Sequence, residues 1–392
     1  MSRALLLLLL CSCASTAVKP PAGSLARAAL DGDVVAVLRL LGQSADPNDR
    51  LGALNPPLPL VAYEKWTALM AACHNGHLDV VRALIRAGAD LTLHDGYGAT
   101  ALDTALQNEK RVGEEIALAL IAAGAPVDTC VGVYIDDYGD GHTSALHRAV
   151  GRGSRPVVKA LLERGAYVHP RTTGRWTPLF CAQDPEIIRM LLRAGAGLEA
   201  KDRDGMTPLA FAVARDQDET AMALLKAGAN PNVIWNKGYT PLIETLRPER
   251  KVLVQALLEA GADPNQKDSF GSSPLQLVAD NPGEGREELA LLLVAKGARI
   301  DVGEDRYNMP LHAAAWSGKV QLATTLLDRG AAVNRQDKEG DTPLHVACDA
   351  GHELLVKLLL SRGADTKLKN KEGKTPADVS QEPSILKLLL EK

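Results

Sequence analysis

The sequence predicts an all-α repeat solenoid of about eleven stacked helix-pair units, and three observations carry the class. Gly-Ala pairs begin at Gly88, Gly124, Gly165, Gly195, Gly228, Gly261, Gly297, Gly330 and Gly363, in steps of 36, 41, 30, 33, 33, 36, 33 and 33 residues. Triplets of the Thr-Pro-Leu type begin at Thr67, Thr100, Ser144, Thr177, Thr207, Thr240, Ser273, Met309, Thr342 and Thr375, and from each of those Gly-Ala pairs to the next triplet the distance is 12 residues, except after Gly124. Aromatic residues make up only 4% of the 392-residue chain, so the core is expected to be long, thin and built from short side chains. Units this small bury their apolar faces only against their neighbours.

The N-terminus comes first. Arg3 and the terminal amine precede an apolar run, Ala4 to Leu10, and small residues follow, the layout of an export signal. The run is too short for a membrane span, which needs about 20 apolar residues. Leu10, Cys11, Ser12 and Cys13 resemble the lipobox of bacterial lipoproteins. That resemblance implies a mature chain beginning at a diacylated Cys13, held in the membrane by its acyl chains. Cys13 fits better than Cys11, which follows the bulky Leu10. Ala14 and Ser15 after Cys13, in place of Asp, imply an outer-membrane anchor facing the periplasm of a bacterial cell envelope. A plain secretory signal, or a cytoplasmic chain that happens to begin with leucines, are the alternatives. The expected divisions are residues 1–22 for the signal and a short linker, 23–49 for an N-terminal capping repeat, 50–369 for the array, and 370–392 for a C-terminal capping repeat.

Within each unit the local chemistry specifies a helix pair. Thr177, Thr207, Thr240, Thr342 and Thr375 are expected to cap a first helix by hydroxyl, with Pro at the first helical position, where no amide donor is needed. A second helix has apolar spacing such as Leu354, Leu355, Leu358 and Leu359, and Gly363 closes it in the left-handed conformation. Polar stretches such as "NRQDKEGD" then turn the chain into the next unit.

The stretch "TPLHVACDAGHELLVKLLLSRGAD" and its siblings resemble the ankyrin repeat family over residues 25 to 390. "SLARAALDGDVVAVLRLLGQSADPND" lacks the opening triplet and "NKEGKTPADVSQEPSILKLLLEK" lacks the closing Gly-Ala, as expected of caps. Departures from the 33-residue period mark additions: an enlarged loop containing "NPPLPL", and an insertion over 126–142 with four aspartates, two tyrosines and no Lys or Arg. Three residues are added in "LQNEKRVG" and three in "ADNPGEGR", while the unit beginning at Thr177 is three short. Insertions in repeat arrays fall in loops, often on the binding face, so Tyr134 and Tyr138 are candidate contacts.

Catalysis finds little support. With 44 basic against 48 acidic residues there is no overall field to attract nucleic acid. His147, His312 and His345 stand in the fourth position of their triplets, and His77 and His352 between helices, where structural hydrogen bonds are expected. His74 and His77 have metal-like spacing but no third ligand. "DDYGDG" at 136–141 lacks the closing Glu of a calcium loop, with His147 in its place. "GKT" at 373–375 has Leu368 where a phosphate loop needs Gly. Cys73, Cys181 and Cys348 are too far apart along the array for disulfides, and Cys130, in the insertion, is the one thiol that could be exposed. The expectation is no enzyme, no metal, no cofactor and no small-molecule substrate.

The family resemblance instead implies a surface of hairpin tips and first-helix ends on a concave face. On this chain those positions give Trp66, Trp176 and Tyr239 just before the triplets, Tyr97 three before, and His74, Asn75, Arg152, Trp316 and Asp349 at helix ends. Trp and Tyr bury large areas at small entropic cost, although each tryptophan could equally pack against a neighbouring hairpin. The expected partner is another protein, held by a monomeric scaffold; a cytosolic adaptor or inhibitor, or a host-directed effector, is the alternative.

Overall fold

Why each triplet starts a helix is visible in the computed structural model, which describes residues 24–51, 65–108, 111–132, 142–235, 238–279, 285–303 and 309–390. The hydroxyls of Thr67, Thr100, Ser144, Thr207, Thr240 and Thr342 each accept a hydrogen bond from the amide three residues on, satisfying a donor that the first turn leaves unpaired. Thr177 departs from the expectation. Its hydroxyl is buried without a hydrogen-bond partner, and the helix after it is only Pro178–Cys181. This is the unit that is three residues short.

The chain divides into two compact units, Met1–Arg203 and Asp204–Lys392. In the first, the helix pairs are α1 (Leu25–Asp31) with α2 (Val34–Gly42), α3 (Ala68–Asn75) with α4 (Leu78–Arg86), α5 (Ala101–Ala105) with α6 (Arg111–Ala122), α7 (Ala145–Gly151) with α8 (Arg155–Glu163), and α9 (Pro178–Cys181) with α10 (Pro185–Arg193). Two short strands, β1 (Cys130–Gly132) and β2 (His142–Ser144), pair antiparallel at the base of the 126–142 insertion. In the second, the pairs are α11 (Pro208–Ala214) with α12 (Asp218–Lys226), α13 (Pro241–Glu244) with α14 (Lys251–Glu259), α15 (Pro274–Ala279) with α16 (Arg286–Ala295), α17 (Pro310–Trp316) with α18 (Val320–Asp328), α19 (Pro343–Asp349) with α20 (Glu353–Ser361), and α21 (Pro376–Val379) with α22 (Pro383–Leu390).

Within each unit, first helices pack on first helices and second helices on second helices, giving two layers. The layers differ in composition because they differ in surroundings. A first helix is enclosed on nearly every side: in α3 all of Ala68 to Cys73 is buried, and only small residues let helices approach so closely. A second helix keeps one face in water. In α10, Ile187, Ile188 and Leu191 are buried, and in α20 Leu355, Val356 and Leu359 are, the narrow stripe of a surface helix. Leu354 is not part of that stripe, as the spacing suggested; it is 69% exposed.

Side-chain amides bind successive units together. Asn232 accepts from the amide of Asp263 at 2.8 Å and donates to the carbonyl of Gly261 at 2.9 Å. Asn265 does the same to Arg299 and Gly297, and Asn334 to Asp365 and Gly363. Only an amide supplies both a donor and an acceptor at this reach. Replacing Asn265 with Ala is expected to cost about 1 kcal/mol, the net worth of such bonds at a partly solvated site. Chemical denaturation checks this, and Asn265→Asp, which keeps only the acceptor, should fall between the two.

Histidines carry the same task in the first-helix layer. His147 donates from Nε2 to the carbonyl of Trp176 at 3.0 Å, His312 to that of Asp341 at 3.1 Å, and His345 to that of Lys374 at 3.1 Å. Between helices, His77 reaches the carbonyl of Leu30 and His352 that of Trp316. The expected structural role of these five histidines is what the structure shows.

Candidate partner-binding surface

Hairpin tips are built on a side chain five residues before each triplet. Asp95 Oδ1 accepts from the amides of Tyr97 and Ala99, Asp268 Oδ1 from those of Phe270 and Ser272, and Asp337 Oδ1 from those of Glu339 and Asp341, all between 2.8 and 3.0 Å. Each carboxylate thereby organises its turn from inside and leaves the tip residues facing outward. Asn370 Oδ1 accepts the matching pair from the amides of Glu372 and Lys374, whereas Thr172 and Trp235 stand in this place at two other tips.

In the first unit, the expected contact residues divide by burial. Trp66 is 3% exposed; its indole N–H donates to Asp95 Oδ2 at 3.3 Å and its ring meets His74 edge-on at 5.0 Å. It packs against the neighbouring hairpin instead of offering a face. His74 and Asn75 are exposed at the end of α3, and Asn75 donates to the carbonyl of Leu30 at 2.7 Å. Tyr97 is half-buried on its tip. Arg152 is exposed, with Nη1 donating to the carbonyl of Asn108 at 2.5 Å. Trp176 is half-buried, and its backbone is fixed by Thr172 Oγ1 and by His147. Tyr134, Tyr138 and Cys13 lie outside the described residues.

In the second unit, Tyr239 is half-buried and stacks on Trp235 with centroids 6.5 Å apart. Trp316 is 38% exposed at the end of α17. Asp349 is exposed and, with Lys338, Glu339, Lys371 and Lys374, lines a polar groove of about 480 Å³. Three aromatic or apolar tip residues were missed in the sequence: Ile234, Trp235 and Phe270. Ile234 is 49% and Phe270 80% exposed. The signal for Phe270 was present, since it stands three before Ser273 as Tyr97 stands three before Thr100. The two tips are neighbours: a Cβ on Gly238 would lie 2.7 Å from the amide nitrogen of Ser269.

Among the described residues, no three His, Cys, Asp or Glu side chains converge to hold a metal ion. Cys73, Cys181 and Cys348 are buried; burial pushes the Cys348 thiol up to about 12 and raises that of Cys73 further, so neither is a thiolate near neutral pH. No described helix is long and apolar enough to cross a membrane.

Stacked helix pairs joined by tips of this design define a repeat solenoid. The chain belongs to the ankyrin repeat family: the family profile described as ankyrin repeats (3 copies) matches residues 25–129, 146–234, 180–268, 247–337 and 311–392. It is 32% identical over 146 residues to a Treponema pallidum (strain Nichols) protein described as ankyrin repeat-containing, covering 36% of this chain and 46% of that one. It is 41% identical over 68 residues to human protein phosphatase 1 regulatory subunit 27, covering 17% and 44% of the two chains. Over 205 residues it is 30% identical to the human mitochondrial disaggregase, covering 46% and 27%. The chain thus matches less than half the length of each of these relatives. Ankyrin repeat proteins are typically non-catalytic scaffolds for protein–protein interaction, and this chain has that architecture.

Proposed function

We propose that this protein is a non-catalytic scaffold, lipid-anchored in a bacterial cell envelope through Cys13, that captures a partner protein on the aromatic tips of its second unit. The observation that carries the capture site is the pairing of Phe270, 80% exposed, with the Trp235–Tyr239 stack on the adjacent tip. Neither aromatic is required by the turn it occupies. Trp235 stands where Asp95, Asp268 and Asp337 hold their turns with an internal carboxylate, and Phe270 stands where Glu339 and Glu372 do in later units. Exposed aromatic groups of this kind are the usual anchors of protein interfaces. The likeness to a phosphatase regulatory subunit supports a protein as the partner. The anchor rests on the apolar run and lipobox at the N-terminus.

Crosslinking in intact cells followed by pull-down tests the capture site. Trp235→Ala with Phe270→Ser should weaken capture at least about tenfold with unchanged helical content. Equal recovery of the partner by wild type and variant would remove the site. Mass spectrometry of the mature terminus tests the anchor: a diacylated Cys13 is expected, and an intact Met1 would replace the envelope reading with the cytosolic adaptor.

A further inference from the structure

The solvent-facing row of a second helix is set by its distance from the closing glycine. The residues nine and six before that glycine lie three apart on one face of the helix. In each of the nine helices that close on a Gly-Ala pair, at least one of the two is charged or polar. In α4 they are Asp79 and Arg82, an ion pair at 3.9 Å, and in α10 they are Glu186 and Arg189, also paired. Exposed Val252 in α14 and Leu354 in α20 are followed three residues on by Gln255 and Lys357.

Helix α2 breaks this rule. Ser44, left-handed at φ 65°, takes the closing place that Gly88 takes in the next repeat. The residues nine and six before it are Val35 and Leu38, 73% and 53% exposed. Half-buried Val34 and Leu41 extend them into one apolar face at helical spacing. Although α2 packs on α1 and α4, only Val37 is buried in it, whereas α4 buries Val80, Val81, Ala83 and Leu84. The charges nearby are of both signs: Arg39 and Asp33 are exposed, Asp33 caps α2 by accepting from the amide of Ala36 at 2.9 Å, and Arg27 is paired with Asp31. The face is therefore distinguished by its apolar groups and not by its charge.

Its place in the chain decides what covers it. Ten residues, Ala14 to Gly23, separate Cys13 from Ser24, the cap of α1. An acylated Cys13 would hold the first helix pair within about 40 Å of the bilayer even with that tether fully extended. Two aliphatic side chains bind a lipid surface weakly by themselves, but a short tether makes the contact intramolecular and raises its effective concentration. We propose that Val35 and Leu38, flanked by Val34 and Leu41, rest on the lipid surface in which Cys13 is anchored and fix the orientation of the first helix pair on the membrane. This contact rests on the anchor reading above.

The test reconstitutes the full-length acylated protein into phosphatidylcholine vesicles doped with a lipid that releases a carbene on illumination. Labelling at Val34 and Leu41 is read by mass spectrometry in wild type and in the double variant Val35→Glu with Leu38→Lys, which installs the arrangement of Glu186 and Arg189. Wild type should carry more label on α2 than on α4, and the double variant at least about fivefold less at those two residues, with an unchanged thermal midpoint. Labelling should persist as salt rises, because the contact is apolar. Should the double variant melt earlier, Leu38→Arg, which matches Arg82, replaces it in the comparison. Equal labelling of wild type and variant, loss of label with salt, or an α2 left unlabelled in wild type, whether a partner protein, a second copy or nothing covers it, would each overturn the proposal. An intact Met1 in the same spectra removes the anchor and this contact together, whereas a diacylated Cys13 with α2 unlabelled removes the contact alone. Partner capture by Trp235 and Phe270 should be unchanged in the double variant.

Discussion

Lowering the pH from about 7 to about 5 is expected to destabilise each unit through one buried histidine, by about 2 kcal/mol apiece. Burial pushes His147 and His312 down from the ordinary 6.5 to about 4. At His147 the hydrogen bonds explain why the neutral form is required. The amide of Ser144 donates to Nδ1 at 3.3 Å, so that nitrogen carries no proton, and Nε2–H donates to the carbonyl of Trp176. A second proton would set two donors against each other and place a charge in the first-helix layer. Between pH 6.5 and 4 the unfolded chain takes up a proton that the folded one refuses. Stability from these residues is therefore complete above about 6.5 and is lost as the pH falls towards 4.

Carboxylates do not produce the same window. Asp184, bonded to Arg155, and Asp378, bonded to the amide of Thr375, are held below their ordinary values and lose their contribution only at lower pH. Asp103 acts oppositely: burial raises its carboxyl despite Arg148, so acid favours its folded form and offsets part of the loss in the first unit. The variant His147→Gln isolates the histidine, and the protein itself shows that glutamine fits the position. Gln276 stands there in its own unit, accepting from the amide of Ser273 at 2.8 Å. In pH-dependent thermal melts, His147→Gln should remove about 2 kcal/mol of the acid loss in the first unit. A variant that melts with the wild-type pH dependence would show that His147 does not titrate as described.

How much of this was legible in the sequence depended on whether a residue answers to its own unit or to the next. The triplets, the Gly-Ala closures and the bridging role of His147 and His345 are local signals repeated many times, and they were read correctly. Trp66 was not, because its burial depends on Asp95 and His74 lying on either side of it, which only the stacking creates. Thr177 failed to cap for a similar reason: the unit lost three residues, and the short α9 no longer presents an amide to its hydroxyl. Leu354 reads as apolar spacing, but a 3.6-residue helix beside a two-layer stack buries only the narrower stripe of Leu355, Val356 and Leu359. Phe270 stands three before Ser273 as Tyr97 stands three before Thr100, so the position that singled out Tyr97 was legible there too and was not followed along the array.

The contacts between neighbouring tips lead to the second large effect. Gly340→Ala is expected to cost about 3 kcal/mol, and Gly363→Ala about 1 kcal/mol. The two glycines have nearly the same left-handed backbone, at φ 81° and 82°, so conformational strain alone predicts equal costs. Their surroundings differ. A Cβ on Gly363 meets nothing within 4 Å, whereas one on Gly340 would lie 2.9 Å from the amide nitrogen of Lys371 and 3.1 Å from Asn370 Cα. That same amide donates to the carbonyl of Glu339 at 3.0 Å, so the tips cannot separate to admit the methyl without weakening a bond between units. Arg175 shows that the strain by itself is tolerable at the matching position of another tip. The difference between the two variants, measured by denaturant unfolding of the second unit, therefore reads the value of close tip-to-tip packing; equal losses would mean that the tips are coupled too loosely to align a partner across adjacent repeats.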